Sequence, residues 1–124
     1  MRQMNNYRPL GHSVTFLDGV ERHFLFTLAV VSEIQGHYDL PVGTVMAKLA
    51  DDREGFDTLA YLALTLANDE IMRRNDQTGK DDPLLTEKQV KWLIDVPLAK
   101  KILKPIMMAY GYSMPENEED DDPN

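Results

Sequence analysis

The sequence predicts a mainly α fold of the α+β kind: an N-terminal β-hairpin, about five helices in one small domain, and an acidic disordered C-terminal tail. Three observations predict it. A β-prone pair of segments flanks Asp18-Gly19, helical apolar spacing fills most of 28–110, and residues 116–122 (ENEEDDD) hold six of the 21 acidic residues. At 124 residues a single domain is expected, long enough to bury a core without staples. The expected boundaries are an arm over 1–12, the domain over 13–114 and the tail over 115–124.

Val14 to Leu17 is β-prone, and Glu21 to Phe26 reads as the return strand. Asp18-Gly19 between them signals a type I′ turn, because Gly takes positive φ without steric cost. Phe24 and Phe26 share a face by the period of two. Two strands alone are marginal, so helices must cover them.

Thr27 is placed to cap the first helix, with Phe26 and Val31 at the staple positions. Leu28, Val31 and Ile34 form its expected stripe, and Gly36 is its expected stop. Leu40-Pro41 opens a second short helix through Val42, Val45, Met46 and Leu49. Asp51-Asp52 ends that unit and is placed to cap the next.

The third helix is expected from about Arg53 to Arg74. Phe56, Leu59, Ala60, Ala63, Leu66, Ala67 and Ile71 make a wide stripe, broadened by Leu62 and Leu64, which marks a central helix touched on several sides. Residues 75–84 read as a loop. Thr86-Glu87-Lys88-Gln89 matches a capping box and starts a fourth helix, with Val90, Leu93 and Ile94 as its buried edge and Trp92 partly covered. Asp95-Val96-Pro97 starts the last helix, down which Leu98, Ile102, Ile106 and Tyr110 run. Pro105 removes a backbone donor, which predicts a kink or break near Lys101–Lys104, and Gly111 is the expected end.

Composition narrows the function classes. With no cysteine, disulfides, thiol nucleophiles and cysteine-ligated zinc are excluded. The polar N-terminus lacks an apolar signal-peptide core, and no apolar run reaches membrane-span length, so a chain without membrane contact is expected. The net charge is −8, and the six acids of 116–122 account for most of it. No basic footprint points to nucleic acid.

Motifs for chemistry are absent. His12, His23 and His37 have no ligand spacing; His23 is expected on a solvent face of the hairpin and His37 at a helix end. Asp51-Asp52 and Asp81-Asp82 precede helices, where carboxylates cap amides. Residues 75–82 (NDQTGKDD) lack the ligand order of a calcium loop, and Thr78-Gly79-Lys80 lacks the first glycine of a phosphate loop. No serine sits in a nucleophile elbow. No catalytic residue, metal or cofactor is expected. The run from Met107 to Met114 stands apart: Met107, Met108, Tyr110, Tyr112 and Met114 cannot share one helical face. Methionine adapts to irregular partners and tyrosine is enriched at interfaces, so these five are the candidate partner-binding residues.

The order of these features carries a resemblance: a hairpin around Leu17-Asp18-Gly19, then VVSEIQG over 30–36, a long apolar helix, LLTEKQVKWLID over 84–95, and AYGYSMPENEEDDDPN over 109–124. Over residues 13–116 this resembles the tail assembly chaperones of long-tailed bacteriophages and related prophages, encoded between the tail tube and tape measure genes. Pro105 inside the last helix departs from the straight helix otherwise expected. The resemblance implies a non-catalytic protein of the host bacterial cytoplasm. Such a protein binds the tape measure protein, keeps it soluble, helps recruit tail tube subunits, and is absent from the mature virion. In that family a longer, frameshifted form accompanies several members. A homo-oligomer fits the hairpin's free edges. The alternative is a structural component of the particle, a head–tail connector or tail terminator.

Overall fold

The computed structural model describes residues 11–113, with side chains as far as Gly111. Residues 1–10 of the expected 1–12 arm, Met114 and the expected tail over 115–124 lie outside the described residues, while His12, expected in the arm, begins the first strand. Strands β1 (His12–Thr15) and β2 (Glu21–Phe24) pair antiparallel, His12 opposite Phe24 and Thr15 opposite Glu21. Five α-helices come after them: α1 (Leu28–Tyr38), α2 (Val42–Ala47), α3 (Gly55–Thr78), α4 (Glu87–Leu93) and α5 (Val96–Ser113). A single 3-10 turn, Lys48–Ala50, separates α2 from α3.

The strands stop earlier than the sequence suggests. Phe16 to Val20 form a five-residue connection, in which the Gly19 amide donates to the Phe16 carbonyl at 2.9 Å. Gly19 has φ +77°, but Asp18 does not have positive φ, so the expected type I′ turn is replaced. The cause lies in the side chains. Asp18 Oδ1 accepts from the Val20 amide at 3.1 Å, while Arg22 grips the carboxylate with two bonds, of 3.0 and 2.9 Å. The Arg22 guanidinium also lies over the Phe16 ring, 4.4 Å from its centre. Phe16, Phe24 and Phe26 are all buried, Phe16 edge-on to Phe24.

α3 is the central helix and packs against β2, α1, α4, α5 and the 3-10 turn. Leu59, Ala60, Leu62, Ala63, Leu66 and Ala67 are buried along it. Gly55 at its start lets the backbone close on the turn before it, since a Cβ there would meet the Leu49 carbonyl oxygen at 2.8 Å. The helix runs past Arg74 to Thr78 and stops at Gly79, whose φ is +76°. So the expected loop begins four residues later than composition indicates. The segment from Lys80 to Leu85 is strapped back along α3: Asn75 bonds the backbone of Asp82, and Asn68 that of Leu85, each through both amide and carbonyl. Asp82 is thereby occupied in the strap. Neither it nor Asp81 caps α4, whose capping box is formed by Thr86 and Gln89 as expected.

Two further helices, α1 and α5, run past their expected stops. α1 continues through Gly36 and stops at Asp39, which adopts φ +56°; Leu40 beyond it packs against the core. Val30 and Ile34 are its buried residues, Val31 is half-buried, and Leu28 is exposed. α5 passes through both Pro105 and Gly111 without interruption. Proline removes the amide donor that would otherwise meet the Lys101 carbonyl, yet the helix continues. Ile102, Ile106 and Ala109, all buried, hold both halves of α5 to the core.

Polar groups close the seams between elements. Thr27 Oγ1 accepts from the Val30 amide and donates to Asp69 Oδ1, capping α1 and tying it to α3. Asp69, only 4% exposed, also takes the Arg73 Nε–H at 2.9 Å. His23 is half-buried, not solvent-facing: its amide donates to one Glu70 oxygen at 2.9 Å and its Nδ1 lies 2.7 Å from the other. His37, near the end of α1 as expected, stacks on Tyr61 at 4.0 Å.

Candidate partner-binding surface

α5 presents three kinds of surface, fixed by the 100° step of the helix. Ala99, Ile102, Ile106 and Ala109 face the core. Val96, Leu103 and Met107 recur at intervals of seven and four residues, so they share one face, and each is more than a third exposed. Lys100, Lys101, Lys104 and Met108 occupy the outer side and are exposed.

The apolar face continues onto α3 through Phe56. The sequence stripe places Phe56 in the core, yet it is 55% exposed, because it sits in the first turn of α3, ahead of the buried run that begins at Thr58. A depression lies on each side of its ring. One, of about 210 Å³, is bounded by Val90, Ile94 and Val96. The other, of about 270 Å³, is bounded by Leu49, Lys100 and Leu103. Leu59 and Ala99 floor both. Phe56, Val96, Leu103 and Met107 therefore make a ribbed apolar strip along α5.

Charge rims this strip. Lys91 Nζ lies 3.4 Å from Asp57 and 3.5 Å from Glu87. The Asp57 carboxylate first, and Glu87 after it, hold the Lys91 ammonium above the usual lysine range. At the far rim, Asp51 takes the Arg53 and Glu54 amides on one oxygen, both at 2.7 Å, and these bonds keep its carboxyl below the usual range. Asp51 thus does cap the turn leading into α3, as its position in the sequence suggests.

The five residues singled out in the sequence separate in space. Met107 belongs to the strip, 43% exposed. Met108, 47% exposed, lies 100° away among the lysines. Tyr110 is half-buried; its ring meets Phe26 edge-on at 5.5 Å and its hydroxyl abuts Gly43, so it completes the core edge. The Tyr112 side chain and Met114 lie outside the described residues. Phe56, Val96 and Leu103 are additions that the methionine and tyrosine run does not indicate. The signal for the last two was present: once Leu98, Ile102 and Ile106 define the inward face, 96, 103 and 107 fall beside it.

A second exposed apolar site lies at the hairpin tip. Trp92 is 76% exposed beside a depression of about 370 Å³ bounded by Asp18, Leu85, Lys88 and Leu93. Leu17 next to it is 55% exposed, its amide donating to the Leu93 carbonyl at 2.9 Å.

Among the described residues no group of three or more His, Cys, Asp or Glu is placed to hold a metal ion. Nor is any helix among them long and apolar enough to cross a membrane. Comparison with protein-family models, with curated proteins and with solved structures finds no match to this chain.

Proposed function

We propose that this protein is a phage tail assembly chaperone, which binds the tape measure protein in the host cytoplasm, keeps it soluble, helps recruit tail tube subunits and is left out of the mature virion. Two things support the reading. The first is the order of sequence features that resembles this family over residues 13–116. The second, which carries it here, is the strip of Phe56, Val96, Leu103 and Met107, exposed among the described residues, whose other large apolar side chains mostly lie in the core. A tape measure protein is long, helical and striped with apolar residues. Such a segment aggregates when naked and seats its stripe in an apolar groove when protected.

Co-expression with the tape measure protein of the same genome is the direct test. The intact chain keeps it in the soluble fraction. A variant with Phe56, Val96, Leu103 and Met107 all changed to serine loses that protection while retaining its own helical spectrum. Unchanged solubility with the variant moves the contact to another surface, and no protection by the intact chain overturns the function. Mass spectrometry of purified virions provides the second test: the protein at ring stoichiometry there identifies a connector or tail terminator instead.

A further inference from the structure

We infer that the outer face of α5 is the docking surface for this chain's own acidic segment, residues 116–122, folded back along the helix. Lys100, Lys101 and Lys104 are exposed and spaced by one, three and four residues, so they cluster on one side over little more than a turn. None of the three makes an ion pair among the described residues; Arg53, Lys80 and Lys88 make none either, but they are scattered singly, whereas these three are clustered on one helix. Lys100 shares its depression with Asp51 and Asp52, yet both carboxylates remain beyond ion-pair distance.

The complementary charge is close in the chain. Glu116, Glu118, Glu119, Asp120, Asp121 and Asp122 begin three residues beyond Ser113, the last residue of α5. Between them stands Pro115, a residue type that lacks the amide donor a continuing helix needs. Reach is sufficient: Lys104 and Lys100 lie about 14 and about 20 Å back along the helix from Ser113. Residues 114–122 span about 30 Å when extended. Met108 lies between Ser113 and the lysines on the same side, which gives the folded-back segment an apolar contact on its way. This contact does not depend on what occupies the neighbouring apolar strip.

The absence of cysteine makes the test clean. Asn117→Cys in the full chain, carrying a nitroxide spin label, places one paramagnetic centre inside the acidic run without altering its charge. The expected result is loss of most of the amide signal intensity over residues 100–108 at low salt. The signal returns at about 1 M salt, where charges are screened beyond about 3 Å. Changing Lys100, Lys101 and Lys104 together to glutamine restores the signal at low salt, with the rest of the spectrum unmoved. Three outcomes overturn the inference: no broadening on α5, broadening centred elsewhere (including the Arg2 and Arg8 arm), or broadening seen only when labelled chain is mixed with isotope-enriched unlabelled chain. The last of these assigns the lysines to a second copy.

Discussion

The seam between the hairpin and α3 and the outer side of α5 carry similar residue types and treat them oppositely. At the seam, Arg22 is held by Asp18, His23 by Glu70, and Thr27 and Arg73 by Asp69. On α5, three lysines stand without ion-pair partners among the described residues, beside an apolar strip that no described residue covers. The first arrangement lowers the energy of this chain alone. The second contributes little to its stability and leaves both charge and apolar area for something else to use.

That contrast makes graded predictions. Asp69→Ala should have the largest effect, because it leaves Arg73 and Thr27 without their acceptor at a nearly buried site; a loss of about 3 kcal/mol by urea titration is expected. A loss below that of a surface substitution would mean the seam is not what stabilises the fold. At high pH, burial, and after it the hydrogen bond to Glu33, pushes the Tyr61 phenol up to about 12, against the effect of Thr65. A phenol whose folded value is raised contributes stability below its ordinary value of 10.0, and that contribution disappears as pH rises toward 12. The urea midpoint should therefore fall over that window, and Tyr61→Phe should flatten the fall.

A smaller effect is expected at Asp18, whose carboxyl the Arg22 bond holds below its ordinary 3.8. Its contribution is present above 3.8 and lost as pH falls through the lower folded value. Because Asp18 is partly exposed, a double-mutant cycle with Arg22 should give about 1 kcal/mol of coupling near neutral pH, vanishing in strong acid. Gly36→Ala should stabilise α1 by about 0.5–1 kcal/mol, since a Cβ there meets open space in a helix interior. Changing Val96, Leu103 or Met107 singly to serine should alter stability least, by about 0.5 kcal/mol or less each. If these three substitutions cost as much as Asp69→Ala, the strip belongs to the core and the contrast fails.

Local signals in the sequence located most elements because each depends on neighbours along the chain. The capping box at Thr86, the cap at Thr27 and the buried run of α3 are of this kind. Features set by contacts between distant residues were not legible. Gly36 carries a stop signal, but the helix ends at Asp39, which adopts the left-handed conformation that Gly36 was expected to supply. Pro105 carries a break signal that is overridden by packing on either side of it. His23 looks like a solvent residue until Glu70 on another element is brought to it. For the candidate surface, the methionine run lies on α5, as the exposed apolar strip does, but the two share only Met107. Sequence composition marks residues that suit an interface, whereas the strip is defined by which turn of α5 the core leaves uncovered, and Phe56 reaches it from another helix.

The backbone bond from Leu17 to Leu93 bears on the order in which the molecule takes shape during synthesis. The hairpin is made before the five helices described, yet its tip is fastened to the end of α4, and β1 is closed over by α5, the last of those five. Two short strands are not stable alone. The nascent chain should therefore carry its three hairpin phenylalanines uncovered until α5 has left the ribosome. A chain stopped at Asp95 should be cut by chymotrypsin at Phe16, Phe24 and Phe26, and one carried through Ser113 should resist at all three.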